Sequence, residues 1–446
     1  MIFQTNDTIV AQATVPGEGG IAIVRISGPE SIKIAKSIFH PSDMLKDHMM
    51  VYGKIYDGET AIDECMAVVM NKPKTYTRED VVEIHCHGSQ FIVGQIISLI
   101  IANGARPAEA GEFTYRAFVN GRLDLAQAEG VMKIISSKNE FSRVNALRQL
   151  NGGISSFIYE IRENILDMIS TVAAVIDFPD EVDEDISADE LYNQIDQLVT
   201  RIKKECNERK EYVENEGVSV VLFGKPNAGK STLFNAMVRQ NRAIVTSVPG
   251  TTRDILKETI EIHGISFSFY DTAGLQESND IVEKIGIERS QNAIQNANVK
   301  VLVLDGSNSD DLNDIYTQPD LILINKNDIT GPVSFTALQE KYEGIPILQI
   351  SAEMKQGLEE FKNALYDIVK AQNIETGILS QHRHILAAKR TCDALQEAQK
   401  TISNHLPLEL IGVDLENALQ EISSIIGDNV NDTIIDEVFS RFCVGK

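Results

Sequence analysis

The sequence contains no tryptophan, only five cysteines and no apolar run long enough to cross a bilayer. The cysteines form no CxxC pair and their number is odd, so we expect neither a zinc ribbon nor a disulfide framework. A reducing compartment fits best. The longest apolar stretch, at residues 91–102, is too short for a membrane span, and the first ten residues lack the basic region of a secretory signal. We therefore expect a cytoplasmic protein without a membrane span.

Positive charge is also scarce. Lys and Arg together number 41 against 65 Asp and Glu, which gives a formal net charge of −24. Such a surface repels phosphate backbones, so any nucleic-acid contact must use a local basic site or a partner protein. The 446 residues, of which 43% are hydrophobic, are typical of a globular protein with two to four domains.

The hydrophobic pattern divides the chain into four segments. Residues 1–118 predict an α+β domain, with strands at residues 21–26, 67–70 and 81–84 and a helix at 91–102. Residues 119–215 predict a helical layer, in which Ser187 and Glu190 would form a capping box at the start of one helix.

Residues 216–373 return to strands in alternation with helices. The expected strands are at residues 218–223, 265–270, 300–304, 321–324 and 345–350. Such alternation predicts a doubly wound, mostly parallel sheet. Residues 374–446 are helical again, with Gly427 as the expected C-cap of one helix. Because this last segment is short, we expect it to pack on the earlier helices, which makes the α/β unit an insertion within one helical domain.

The most specific motif is a phosphate-binding loop at residues 224–231. There the sequence GKPNAGKS follows a strand pattern and precedes a helical one. This GxxxxGK[ST] arrangement lets backbone N–H groups face a triphosphate. Lys230 would place its charge on the β and γ phosphates, and Ser231 would offer a hydroxyl to Mg²⁺. The alternative, a glycine-rich turn, would hold only if the motif stood alone.

Three further motifs follow in the order expected of a GTPase. DTAG at residues 271–274 would bring Asp271 near Mg²⁺, and NKND at 325–328 places Asp328 where it can accept two N–H groups of guanine. Ser351 and Ala352 would close the base pocket. Adenine would leave the Asp328 carboxylate unpaired, and polar mismatches of this kind discriminate by about 10⁴ or more.

A switch loop is expected at residues 250–254, where GTTRD offers Thr251 and Thr252 to Mg²⁺. Leu275 follows DTAG, so the glutamine that orients water in Ras-type enzymes is absent. Another group must position the water. The expected GTP contacts are Asn227, Ala228, Gly229, Lys230, Ser231, Thr232, Thr246, Ser247, Val248, Pro249, Gly250, Thr251, Thr252, Asp271, Thr272, Ala273, Gly274, Asn325, Lys326, Asp328, Ser351 and Ala352.

Asn227 in the phosphate loop, the GTTR switch, DTAGL and the terminal FCVGK at residues 442–446 together resemble the MnmE (TrmE) family of tRNA-modifying GTPases. The resemblance covers essentially the whole chain. It implies a homodimer with an N-terminal domain that binds tetrahydrofolate and dimerises, a helical domain and an inserted G domain. It also implies a flavoprotein partner, MnmG, which supplies FAD. Driven by GTP hydrolysis, the two would place a carboxymethylaminomethyl or aminomethyl group on carbon 5 of the wobble uridine of certain tRNAs.

The resemblance further implies ions at the nucleotide. A K⁺ ion held by Asn227, Thr246, Val248 and Thr251 would replace an arginine finger when two G domains meet, a charge worth about 10³ to 10⁵ in rate. Ser231 and Thr252 would hold Mg²⁺. Glu283 would orient water as the general-base equivalent, although the residues alone favour a solvated helix position for Glu283.

For 5-formyltetrahydrofolate or a related tetrahydrofolate, the resemblance implies Arg25, Glu83, Arg122 and Lys446. A pterin offers amide-like donors to a carboxylate, and arginines suit carboxylate or carbonyl acceptors. Arg25 and Glu83 fit a cross-strand ion pair equally well. The family places the Cys443 thiol near the folate with a suspected catalytic part, whereas its sequence context suggests a buried small hydrophobe.

Other interpretations remain open. His85-Cys-His87 could suggest a metal, but a third ligand at a recognisable distance is missing, so the end of a strand is preferred. A ribosome-assembly switch GTPase is one alternative function, although we find no basic RNA-binding module. A one-carbon transferase that the G domain only regulates is another.

Overall fold

The computed structural model describes residues 5–177, 184–207, 210, 213–214, 217–240, 257–271, 297–308, 317–329, 335–371 and 377–446. They fall into two compact units. The first comprises Met1–Ile135, Leu147–Val199 and Ala387–Lys446, and the second comprises Ser136–Ala146 and Thr200–Leu386. Within the described residues, no helix combines the length and apolar character that crossing a membrane requires.

The first unit contains a seven-stranded sheet in the order β3-β4-β5-β6-β2-β1-β7. Its pairs are antiparallel except β1 with β7. The strands are β1 (Ile9–Gln12), β2 (Gly19–Ser27), β3 (Phe39–Pro41), β4 (Met50–Asp57), β5 (Thr60–Met70), β6 (Val81–Gly88) and β7 (Arg106–Pro107). The helices α1 (Ser31–Ile38) and α2 (Gln90–Ala102) share one core with alternate strand residues such as Val24 and Ile84. The period of two therefore places α1 and α2 on one face of the sheet. On the opposite face, Ile9 and Ala11 of β1 pack with Phe113, which belongs to the next helix.

Five α-helices follow this sheet along the chain. They are α3 (Glu112–Val119), α4 (Leu125–Ser136), α5 (Glu140–Leu150), α6 (Gly153–Asp177) and α7 (Glu184–Glu205). The apolar stripe of α7 is buried as its spacing predicts, with Leu191, Ile195 and Ile202 at 5% exposure or less. Because α7 begins at Glu184, Ser187 lies inside the helix, and the prediction of a capping box at its start is wrong.

The second unit contains a six-stranded sheet in the order β13-β12-β11-β8-β10-β9, in which only the edge strand β9 is antiparallel. The strands are β8 (Val218–Phe223), β9 (Lys257–Ile262), β10 (Ile265–Asp271), β11 (Val299–Asp305), β12 (Leu321–Asn325) and β13 (Ile347–Gln349). The described helices are α8 (Lys230–Gln240), α9 (Phe335–Lys341) and α10 (Leu358–Ala371). Separate apolar cores, one with α8 and α10 and one with α9, cover its two faces. The predicted doubly wound sheet is confirmed.

The chain ends in helices α11 (His382–Ser403), α12 (Leu408–Ser423) and α13 (Asp432–Ser440). In the first unit α12 packs along α6, as expected for a last segment that rests on the earlier helices. Since α12 ends at Ser423, Gly427 is not its C-cap. Gly427 instead has φ +99°, and a Cβ there would overlap the Phe118 ring.

Candidate functional sites

The loop between β8 and α8 has the backbone that a phosphate site requires. Gly224, Asn227 and Gly229 have φ angles of 143°, 66° and 89°. A Cβ at Gly224 would overlap the Val303 carbonyl, and one at Gly229 would overlap the Asn325 amide nitrogen. Only glycine fits both places. The loop leads into the N-terminus of the 11-residue helix α8, and the dipole of a helix favours an anion at its N-terminus.

The Lys230 side chain folds back over this loop. It is 6% exposed, and its ammonium donates to the carbonyls of Gly224 at 2.9 Å and Lys225 at 2.8 Å. Ser231 and Thr232, in the first turn of α8, are exposed. A positive charge and a hydroxyl therefore border the same loop, as the motif predicts.

Asn325 ties the phosphate loop to the loop after β13. Its side chain is 2% exposed; Nδ2 donates to the Ala228 carbonyl at 2.9 Å, and Oδ1 accepts from the Ala352 amide at 3.0 Å. Both halves of the side-chain amide are thus engaged by backbone groups. The role that the structure gives Asn325 is to hold two loops of the expected nucleotide site in register.

Asp328 lies beside the same loop. Its side chain is exposed, and Oδ1 accepts from the Ser351 hydroxyl at 2.5 Å. The preceding Lys326 pairs with Asp305 at 2.6 Å. Burial raises the pKa of the Asp305 carboxyl, but the hydrogen bonds from Lys326 and Ser307 bring it below its usual value. Groups from the ends of β11, β12 and β13 therefore meet at one edge, where open α/β sheets bind ligands.

Several expected nucleotide contacts lie outside the described residues. Asp271 ends β10 and pairs with Leu222 of β8, so its backbone is at the same edge of the sheet. The others, including the water-orienting candidate Glu283, belong to undescribed segments: Thr246, Ser247, Val248, Pro249, Gly250, Thr251, Thr252, Thr272, Ala273 and Gly274. Their roles stay predictions.

The first unit brings together the four residues expected at the folate. Arg25 of β2 and Glu83 of β6 are cross-strand partners, with Arg25 Nε and Nη2 at 2.9 and 2.8 Å from Glu83 Oε1. The expected ion pair exists, and its partners are only 16% and 17% exposed. Arg25 Nη1 also donates to the Gly445 carbonyl at 3.4 Å, so the pair reaches the last residues of the chain.

The segment after α13 is held against β1. Val444 bridges to Ala110, and Gly445 has φ +96° with its Cα so close to the Gln12 carbonyl that a Cβ would overlap it. Burial and then the nearby Arg25 charge lower the pKa of Lys446. Lys446 thus lies near the ion pair, as predicted. Cys443 is exposed, so the expectation of a buried small hydrophobe is wrong.

Arg122 joins this cluster through an aromatic ring that the motifs did not reveal. Its guanidinium stacks 4.6 Å from the Tyr76 ring centroid, and its Nη1 donates to the Tyr76 carbonyl at 2.9 Å. Arg25 lies 5.6 Å from the same ring. Tyr76 belongs to the loop between β5 and β6, where no sequence pattern marks it as functional. It supplies an apolar wall between two cations.

Two family models match the chain: "MnmE helical domain" over residues 125–443 and "GTP-binding protein TrmE N-terminus" over residues 8–122. Curated proteins named tRNA modification GTPase MnmE match over 99% of this chain and 99% of their own length. They are 41% identical in Alkaliphilus oremlandii, 40% in Alkaliphilus metalliredigens and 37% in Clostridioides difficile. The chain belongs to the MnmE family.

The extent of the two MnmE family matches agrees with the fold. The N-terminal match contains all seven strands of the first sheet, and the helical match begins at α4 and continues nearly to the last residue. The second sheet therefore lies inside the helical match. In chain order, the P-loop domain follows α7 and precedes α11, so it is inserted between helical segments as predicted.

The His85-Cys-His87 sequence lies near the end of β6. Within the described residues no group of three His, Cys, Asp or Glu side chains could hold an ion. The His87 ring instead pairs with Asp63 at 2.7 Å. Burial and then the Asp63 charge raise the pKa of Cys65 to about 12 and of Cys86 to about 11, which leaves both as thiols.

Proposed function

We propose that this MnmE-family chain is a GTPase that acts in the modification of tRNA. The GTPase proposal rests on the hydrogen bonds that connect three loops at one edge of the second sheet. Asp328 pairs with Ser351, and Asn325 connects the Ser351-Ala352 loop to the phosphate loop. One hydrogen-bonded framework would then hold the guanine at the Asp328 carboxylate and the phosphates at the phosphate loop.

Replacement of Asp328 by asparagine tests the guanine assignment. An amide presents a donor where guanine needs an acceptor, so GTP affinity should fall by at least about a hundredfold and xanthosine triphosphate should bind better. Equilibrium titration with both nucleotides measures this. Asp367→Asn, an exposed aspartate on α10 of the same unit, is the matched control. Unaltered GTP affinity of Asp328→Asn would contradict the assignment.

For hydrolysis we propose Mg²⁺ at Ser231 and Thr252, K⁺ at Asn227, Thr246, Val248 and Thr251, and Glu283 as the group that orients water. The described part fits these ions: Asn227 is exposed on the phosphate loop, and Ser231 is exposed where α8 begins. These residues would hold K⁺, which would supply to the phosphates the positive charge that an arginine finger supplies in other GTPases. GTP hydrolysis should slow sharply when Na⁺ replaces K⁺, and equal rates in both salts would refute the K⁺ site.

We also propose that Arg25, Glu83, Arg122 and Lys446 hold a tetrahydrofolate, with the exposed Cys443 nearby. In this proposal the chain works with MnmG and its FAD in the cytosol. The product is a carboxymethylaminomethyl or aminomethyl group on the wobble uridine. Mass spectrometry of tRNA from a strain that lacks the gene tests this proposal. Unchanged wobble uridines would favour the alternative of a ribosome-assembly or regulatory switch GTPase.

We propose the homodimer from exposed strand residues on the face of the first sheet opposite α1 and α2. Apolar side chains on that face are unusually exposed: Ile21 is 67% exposed, Tyr52 48% and Met66 40%. A second copy would bury them. Met66→Lys should therefore yield monomers in sedimentation velocity, whereas Val413→Lys, at a 53% exposed position on α12, should not. An intact Met66→Lys dimer would contradict this interface.

The domain boundaries are proposed as residues 1–118, 119–215, 216–373 and 374–446. The first sheet ends at Pro107 and the second runs from Val218 to Gln349, which supports the two sheet-bearing segments. Limited proteolysis followed by mass spectrometry would test the boundaries near residues 215 and 373. First cuts inside β8 or β12 would contradict them.

A further inference from the structure

His85 has a ring nitrogen with no evident structural purpose. It lies on the face of the first sheet opposite α1 and α2, with Met66 of β5 and Ile23 of β2 as its cross-strand neighbours. Its Nε2 atom is inaccessible to solvent and has no hydrogen-bond partner within the described residues. Neither neighbouring side chain offers a good one. Buried polar atoms are normally paired, so an exception at a binding site points to a missing ligand atom.

Glu83 presents a matching atom beside it. Residues 83 and 85 point to the same face of β6, two positions apart. Arg25 donates its hydrogen bond to Glu83 Oε1, whereas Glu83 Oε2 receives no hydrogen bond in the described part of the chain. Glu83 Oε2 is 3.5 Å from His85 Nε2, which is longer than a normal N···O hydrogen bond. The two atoms therefore stand side by side with their hydrogen-bonding capacity unused.

Such a pair suits the edge of a heterocycle. Oε2 is an acceptor, and the imidazole nitrogen donates or accepts according to its tautomer. Two neighbouring polar atoms on a pterin-type ring could each meet one of them. Tyr76 and Phe113, both within 6 Å of the Arg25 guanidinium, provide apolar surface next to the same site.

We propose that His85 is a ligand-contacting residue of the folate site, whose Nε2 binds the pterin-ring atom adjacent to the one held by Glu83 Oε2. This inference rests on the proposed folate function. It assigns His85 a polar contact that sets affinity for the ring. His87, on the same strand and face, is excluded from this role because its ring is paired with Asp63 and is 66% exposed.

The test is calorimetric titration of the full-length protein with 5-formyltetrahydrofolate. His85→Met keeps the bulk of the side chain and removes its strong hydrogen-bonding capacity, so affinity should fall about tenfold, the usual effect of one unpaired polar contact. His85→Gln retains a donor and an acceptor and should stay within about threefold of the wild type. His87→Met is the matched control and should bind like the wild type. Equal thermal midpoints verify that the variants fold.

The outcomes separate the inference from the function on which it rests. If the wild type binds, Glu83→Gln loses binding and His85→Met binds as the wild type does, the His85 contact is refuted while the folate site stands. Equal losses in His85→Met and His85→Gln would also refute a polar contact. If the wild type itself binds no tetrahydrofolate, the proposed folate function fails, and the inference fails with it.

Discussion

Replacement of Glu112 by glutamine should destabilise the first unit more than any exposed charge replacement. Glu112, at the start of α3, is fully buried. Its two oxygens accept from Arg106 at 2.5 and 2.8 Å, from Arg116 at 3.0 Å and from the Glu109 amide at 3.0 Å. Arg116 is itself fully buried. Glutamine has almost the same shape, but it removes the charge and points N–H groups at arginine donors.

The magnitude follows from the burial of the cluster. Loss of one partner from a buried ion pair costs about 3–5 kcal/mol, because the remaining charge keeps its desolvation penalty. An exposed pair contributes about 0–1 kcal/mol. Glu437 on α13 and Arg441, the C-cap of that helix, form such a pair in the same unit, at 65% and 72% exposure. Glu437→Gln is therefore the matched control, with an expected effect near zero.

Hydrogen exchange measured by mass spectrometry is the suitable assay, since it reports opening segment by segment in a chain without tryptophan. The opening free energy of a peptide that covers residues 106–119 should fall by about 3–5 kcal/mol in Glu112→Gln. The same peptide should be unchanged in Glu437→Gln. If both variants exchange alike, the buried cluster does not stabilise this part of the fold and the reasoning is wrong.

Three further results are expected. Burial raises the pKa of Asp7, but hydrogen bonds from two arginines bring it below its usual value, so the stability of the folded protein should fall as the pH drops below about 4. In acid unfolding curves, Asp7→Asn should flatten this pH dependence. An unchanged slope in the variant would contradict the argument. Iodoacetamide at pH 8 should label the exposed Cys443 and spare Cys65, whose pKa is about 12; peptide mass spectrometry shows which thiol reacts, and labelled Cys65 in folded protein would refute the argument. Gly445→Ala should weaken tetrahydrofolate binding at least about tenfold, because Gly445 has φ +96° and a Cβ there would overlap backbone atoms. Gly412→Ala is the control and should not weaken binding, because a Cβ at Gly412 meets no atom within 4 Å. Equal affinities of the two variants would argue against the placement of Gly445 at the folate site.

The second sheet could be predicted closely because its strands are buried on both faces. Strands such as β8 and β12 are continuous apolar runs that end at recognisable motifs, which fixes both type and position. The edge strand β9 was not predicted, since KETIEI mixes charged with apolar residues. In the first unit β4 was missed as well. Its Gly53 breaks the strand pattern, yet glycine is needed there because a Cβ would overlap the Phe39 ring.

The candidate site residues also differ in how far the sequence alone predicts them. The positions of Lys230 at the start of a helix and of Asp328 just after a strand could be predicted, because each belongs to a local motif. Tyr76 could not, since its place between two arginines depends on residues far apart in sequence. For His85 the sequence pattern suggests only one half of a metal-binding pair. That its Nε2 is buried and has no hydrogen-bond partner in the described part of the chain becomes visible only when the neighbouring strands are known.

The double engagement of Asn325 has a kinetic consequence. The Asn325 side chain is hydrogen-bonded both to the Ala228 carbonyl and to the Ala352 amide, which are 124 residues apart in the chain. An excursion that frees the side chain must expose both backbone groups at once, so the two loops share a single opening event. We therefore expect the phosphate loop and the loop after β13 to open together, so that release of a bound nucleotide would loosen both loops in one step.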